Sequence, residues 1–316
     1  MGVESLSSND SRSDKNNREA LHSSNGFDLQ AVKQPVSLSD AERFCRKIAT
    51  GQYENFLVAS AFLPKKMRQP FYNIYAFCRT ADDIADLSPS SEIAKNELIR
   101  WREMLRACFE GDASEPIFVA LRDTAAKFSL PMAPFDDLLT AFLQDQVKTR
   151  YETFAELIQY CRYSANPVGR IVLQLAGVDS DRNFVLSDSI CTGLQLANHW
   201  QDVARDYQAG RVYLPSEDLN RFDIDVRELF AQSQRAAFRD LIMFQCDRAR
   251  GFLRDGLPLA EHVPSWLAND VRLFAHGGLA TLDEIAGIDH DVLSRRPVVS
   301  KSKQVRLMVA AFFGCL

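Results

Sequence analysis

Among seven cysteines there is no Cys-x-x-Cys pair, and among five histidines no His-x-x-x-His, so the usual zinc spacings are missing. Glycine is scarce at 14 of 316 residues, and no Gly-x-Gly-x-x-Gly or Walker-type loop occurs. That excludes the common glycine-rich phosphate cradles. No segment approaches the roughly 18 apolar residues of a spanning helix, and no apolar stretch of a secretory signal stands near the N-terminus. There is no basic excess either. Lys and Arg number 37 against 42 Asp and Glu, for a net charge of −5, which argues against a nucleic-acid partner. Any anionic ligand then has to be met by local arginines or bound cations. Apolar residues at 46% and charged residues at 25% are an ordinary globular balance. This length buries a sizeable core, in one large domain or two ordinary ones. Cys45, Cys78, Cys108, Cys161, Cys191, Cys246 and Cys315 fall mostly in apolar helical patterns and read as reduced thiols of a cytoplasmic protein. Cys315 is second from the end and is no prenylation box.

Residues 1–36 are rich in Ser, Asn, Asp and Lys and read as a disordered polar tail, with too little apolar surface to offset chain entropy. Residues 37–316 read as one all-α domain. Ser39-Asp40-Ala41-Glu42 has the form of a capping box. Prolines, Pro70 among them, punctuate long stretches with apolar residues three and four apart. No Asn-Gly or Asp-Gly hairpin signal joins alternating segments.

Two constellations carry chemistry. In Tyr75-Ala-Phe-Cys-Arg79-Thr-Ala-Asp82-Asp83-Ile-Ala-Asp86, the residues Tyr75, Arg79, Asp82 and Asp86 share one helical stripe. Phe71, Ile74, Phe77 and Ile84 make that helix read as buried. Carboxylates at i and i+4 repel one another in such a setting, and a divalent cation relieves the conflict. Mg²⁺ suits the oxygen donors and keeps room for substrate phosphate. The second stripe is Asn198, Asp202 and Asp206, again at i, i+4 and i+8, followed by Gly210-Arg211-Val-Tyr213-Leu-Pro215. Two such stripes clamp one diphosphate as a leaving group, with the metals stabilising charge on the departing oxygens. No activated nucleophile is apparent, which favours ionisation to a carbocation. The 21 Phe residues suit an aromatic-lined cavity and suit core packing equally well.

These motifs, together with Tyr160-Cys-Arg-Tyr163-Ser-Ala-Asn166-Pro-Val-Gly169, resemble the squalene/phytoene synthase family, the head-to-head class of isoprenoid synthases, over residues 38–300. The resemblance implies a helical bundle with a central apolar cavity. It implies Mg²⁺, two or three ions, held through Asp82, Asp86, Asn198, Asp202 and Asp206. It further implies diphosphate contacts from Tyr75, Arg79, Arg211 and position 201, and cavity roles for Phe56 and Tyr163, the latter catalytic.

Two departures narrow the expectation. Condensing members carry Ser-Arg-x-Phe where this chain has Tyr53-Glu54-Asn55-Phe56, and Arg-Asp where it has Gln201-Asp202. Two cations facing diphosphate are thus missing, as befits an enzyme that holds one anion. The pattern Glu-Asn-Phe, Ser-Ala-Asn-Pro-Val-Gly and Trp-Gln-Asp resembles the bacterial hydroxysqualene synthases. In that branch a C30 substrate, presqualene diphosphate, is ionised and captured by water, with no NADPH consumed. Glu54, with Asn55, is expected to position the water. Asn166 either polarises it or satisfies a helix end beside Pro167. The alternatives are condensation of two farnesyl diphosphates, and a non-catalytic assembly factor, which would have lost its ligand positions. Trp200 is expected to pack against a neighbouring helix, and His199 has no assigned role. The branch also implies association with the other enzymes of the squalene route. Finally, Arg295-Arg296 to Arg306 joins a basic stretch to a short apolar one, readable as a packed final helix or as a peripheral membrane contact.

Overall fold

The computed structural model describes residues 36–51 and 63–312; the polar tail and Glu54, Asn55 and Phe56 lie outside the described residues. The first helix, α1 (Leu38–Gly51), opens one residue before the anticipated cap: Ser37, not Ser39, accepts the Asp40 amide at 3.2 Å. The working signature is Ser37-x-x-Asp40, in which Asp40 also accepts the Ser37 hydroxyl and places an acid in the first turn.

The helix α2 (Lys65–Leu87) contains Pro70 without being broken by it. At its sixth residue the proline removes one ladder bond and crowds the carbonyl four residues back, a cost of about 3 kcal/mol that the packing of the buried face offsets. Then come α3 (Ser91–Glu110), capped by Ser90, α4 (Pro116–Phe128) and α5 (Ala133–Asp145). The pair α6 (Phe154–Ser164) and α7 (Asn166–Ala176) follows, and then the long α8 (Asp181–Gln208), capped by Ser180. A short α9 (Ser216–Arg221), then α10 (Arg235–Gly256), α11 (Ser265–Gly287) and α12 (Lys301–Phe312) complete the order. No strand occurs among the described residues, as the apolar periodicity predicts, and none of their helices is long and apolar enough to cross a membrane.

Two helices matter most for the site. One face of α2 supplies Phe77 to an aromatic cluster, stacked on Trp101 and edge-on to Phe118 and Phe135. All four rings are buried. The helix α8 packs most extensively on α10. Close approach there depends on Gly193, where an added Cβ would stand 2.7–3.0 Å from the side chain and backbone of Leu253. Trp200, fully buried, fills the same core, as its helical position predicts. The described cysteines are free thiols, buried or half-buried.

Candidate active site

The first acidic stripe does not sit inside the core. Helix α2 buries Met67, Asn73, Ile74, Ala76, Phe77, Ala81 and Ala85, so its opposite side carries Asp82 and Asp86, with side chains 41% and 52% exposed. The expectation of a wholly buried helix is corrected: one face is core, and the carboxylates line its open flank. Arg79 lies 3.3 Å from Asp82 and 2.5 Å from Asp83. Tyr75 is half-buried one turn earlier.

The second stripe lies on α8. Asn198 is exposed, and Asp202 and Asp206 follow at successive turns. The helix ends in a turn that requires Gly210 at φ 81°, where the Gly210 amide donates to Tyr207 and the Arg211 amide donates to Asp206. Such a left-handed residue is the usual helix exit. It sends the following segment back along residues 149–152, to which it is pinned by Val212 N–H to Thr149 C=O and Ser216 N–H to Tyr151 C=O. That path delivers the Arg211 guanidinium to Asp86 at 3.4 Å.

The helices α2 and α8 do not pack extensively on each other, and Arg211 spans the gap between their acids. Although the Asp82 side chain keeps an open edge, the protein around it strips much of its hydration and, with repulsion from Asp86, raises its pKa to about 6; burial with repulsion from Asp202 does the same for Asp206. Asp206 also feels Asp86 across the gap. The two stripes therefore form one acidic site.

Three features were not foreseen from the sequence. Asp145, the last residue of α5, accepts the Tyr160 hydroxyl at 2.8 Å. Burial lifts its pKa to about 7, and it feels Arg211, Asp86 and Asp82. Its second oxygen, Oδ1, is buried without a hydrogen-bond partner. The available signal was a carboxylate at a helix C-terminus, against the macrodipole. Tyr160 is the tyrosine of its motif that reaches this site, whereas Tyr163 is half-buried against the core; motif spacing alone does not distinguish them. Arg296 is the third. Its Nε and Nη2 lie 2.5 and 3.0 Å from the Asp202 carboxylate oxygens, and Nη2 also donates to Gln201 Oε1 at 3.0 Å.

Gln201 is thus engaged at both ends, since its Nε2 donates to the Pro297 carbonyl at 2.7 Å. Position 201 carries no cation of its own, and a guanidinium that the sequence did not foreshadow arrives beside it from the C-terminal segment. Asn166 heads α7 but makes no capping bond of its own helix; its Oδ1 accepts the Thr192 hydroxyl at 3.0 Å on α8. His199 is buried and stacks on Tyr213 with ring centroids 3.7 Å apart. Burial drives its pKa down to about 3, so it is neutral. An apolar cleft of about 250 Å³ lies by Lys66, Met67, Leu175 and Trp266, about 22 Å along α2 from Asp82.

Among the described residues, no three His, Cys, Asp or Glu side chains converge as a ready-made ion cage. The donor set nevertheless fits a hard cation. It consists of carboxylates with raised pKa, one buried oxygen without a partner, and arginines standing where counter-ions are needed.

The squalene/phytoene synthase sequence pattern matches residues 49–303. The chain belongs to the squalene/phytoene synthase family. It is therefore an enzyme of the head-to-head prenyl diphosphate class, whose members typically depend on Mg²⁺ and act on prenyl diphosphates. It is 38% identical to a hydroxysqualene synthase of Rhodopseudomonas palustris, over 69% of this chain and 74% of that one. A phytoene synthase of Arthrospira platensis is 31% identical, covering 89% and 95%. The crystal structure of squalene synthase HpnC from Alicyclobacillus acidocaldarius superposes with a TM-score of 0.77 at 40% identity, covering 81% and 97%. The family's all-helical fold is the one described above. These relatives carry three different product names, so membership alone leaves the product open.

Proposed function

We propose that this family member is a hydroxysqualene synthase acting in the cytoplasm. It ionises presqualene diphosphate and returns hydroxysqualene and diphosphate, without NADPH. The observation that carries the reading is the 38% identity to a hydroxysqualene synthase, higher than the 31% to a phytoene synthase. The single acidic site, gathered about Arg211, agrees with one diphosphate.

In this reading Asp82, Asp86, Asn198, Asp202 and Asp206 hold Mg²⁺. When bound, the metal supplies Lewis-acid stabilisation of the leaving diphosphate oxygens. Arg79, Arg211 and Tyr75 orient the diphosphate, and Gln201 contributes through the Arg296 that it holds. The carbon–oxygen bond breaks with its electron pair leaving on diphosphate, and the cyclopropylcarbinyl cation rearranges. Water adds through oxygen and gives up one proton. Glu54 and Asn55 position that water, with Phe56 and Tyr163 lining the cavity and Asn166 braced by Thr192. Asp145, paired with Tyr160, holds the released proton, a role matched by a pKa near the working pH. The apolar cleft and the acidic site lie at opposite ends of α2, the polarity that a lipid diphosphate requires.

A second reading, condensation of two farnesyl diphosphates, draws on Arg296, which restores a cation beside Gln201. The deciding experiment incubates enzyme and Mg²⁺ with presqualene diphosphate or with farnesyl diphosphate, lacking NADPH, and reads products by mass spectrometry. A C30 alcohol from the first, with the second untouched, is expected. A C30 diphosphate made from farnesyl diphosphate overturns the reading. Normal product distribution and turnover in Glu54→Gln removes Glu54 from it.

A further inference from the structure

From Val292 to Leu316 the sequence holds Arg295, Arg296, Lys301, Lys303 and Arg306 and no Asp or Glu, in a chain of net charge −5. Two of these cations are used internally: Arg296 on Asp202 and Lys303 on Glu284 at 2.9 Å. Arg295, Lys301 and Arg306 are exposed and make no ion pair among the described residues. Helix α12 has two apolar sides. Leu307 and Ala311 lie on the side of Lys303, which anchors the helix to α11. At 100° per residue Val305 and Val309 fall on the opposite side, with Lys301 one turn before Val305 and Arg306 at the flank. Val305 is 58% exposed and Val309 50%; Val298, just ahead of the helix, is 58% exposed.

An outward row of valines bordered by unpaired cations, with no acid near it in sequence, is the pattern of a helix that lies in an anionic lipid interface. We propose that α12 and the preceding Val298 form a docking face for the surface of an anionic bilayer. The strap between them and the site is short. Arg296 holds Asp202, and Lys301 begins the helix five residues later, at most about 17 Å away. Docking therefore sets the acidic site beside the lipid surface. This placement stands apart from which prenyl diphosphate reaction the site performs.

Flotation of the full chain with vesicles tests the face. One set is phosphatidylcholine alone and the other contains 30 mol% phosphatidylglycerol. The protein is expected to float with the anionic set only, and less so as salt is raised. Lys301→Gln with Arg306→Gln should weaken partitioning by about fivefold per charge removed, and Val305→Ser with Val309→Ser should abolish flotation. Circular dichroism melts and turnover of detergent-dispersed substrate should match wild type in both variants, separating lost docking from misfolding. Absence of flotation in wild type, equal flotation with both vesicle sets, or unchanged flotation in both variants overturns the proposal. So does a dimer in light scattering that disappears in the valine variant without any vesicle binding, since that face then meets a second copy. Flotation is read without substrate, so its failure leaves the reaction assignment standing, and the reverse.

Discussion

The two acid-bearing helices reach the same site by different means. Helix α2 is fixed by large aromatic contacts around Phe77, and its arginine is its own, Arg79 at i−3 from Asp82. Helix α8 is fixed by close approach to α10 at Gly193, and its strongest counter-charge comes from Arg296, 94 residues from Asp202. A locally complete motif and one completed by a distant strap thus carry acids raised to the same pKa of about 6. Equal electrostatics do not imply equal construction.

The contrast breaks most readily at its anchors. Phe77→Ala removes the centre of the aromatic cluster and should cost about 3–5 kcal/mol in urea unfolding. A loss below ~1 kcal/mol would mean that the cluster does not anchor α2. At α8 the expected damage is smaller. Gly193→Ala places a methyl against Leu253, including its backbone nitrogen, and should cost about 1–3 kcal/mol by the same measurement. A neutral result would show that the α8–α10 contact can open without penalty.

The counter-charges sharpen the comparison further. Arg296→Ala leaves Asp202 and Gln201 without their shared partner. Because the side chain is 40% exposed, stability should move by less than ~1 kcal/mol. Mg²⁺-dependent binding of inorganic diphosphate should weaken by about tenfold in calorimetry, since one charged hydrogen-bonding partner is lost. Unchanged diphosphate affinity would mean that Arg296 merely fastens the C-terminal segment.

The smallest effect is in pH. Unfolded Asp titrates near 3.9. Asp82 and Asp206, raised to about 6, keep protons in the folded chain that the unfolded chain has released. Metal-free stability from these groups is therefore lost as pH rises from about 4 to about 6. The Tm of Asp82→Asn should fall less than that of wild type across this window, by a few degrees in scanning calorimetry. Identical profiles would indicate that Asp82 is not held in a repulsive site.

Much of the site was legible because its pieces are local. Asp82 and Asp86, or Asp202 and Asp206, share a helix face through fixed geometry of 100° per residue, and Trp200 faces the core for the same reason. The start of α1 was misjudged because two serines compete and only the amide geometry selects Ser37. Pro70 stands inside a helix and not between two, because the buried face on either side of it outweighs the lost ladder bond. Asp145, Tyr160 and Arg296 were missed because no spacing links them to the acids they join.

From its sequence alone this chain is determined to be all-helical, to present two acidic stripes, and to belong with the squalene/phytoene synthases. Helical periodicity and motif order are properties of consecutive residues, and they need no partner to be read. The tertiary structure decided which flank of α2 is open, which tyrosine meets Asp145, and which arginine neutralises Asp202. Those outcomes depend on how distant segments pack. A side chain's charge partner is set by that packing, through distances that the order of residues does not contain.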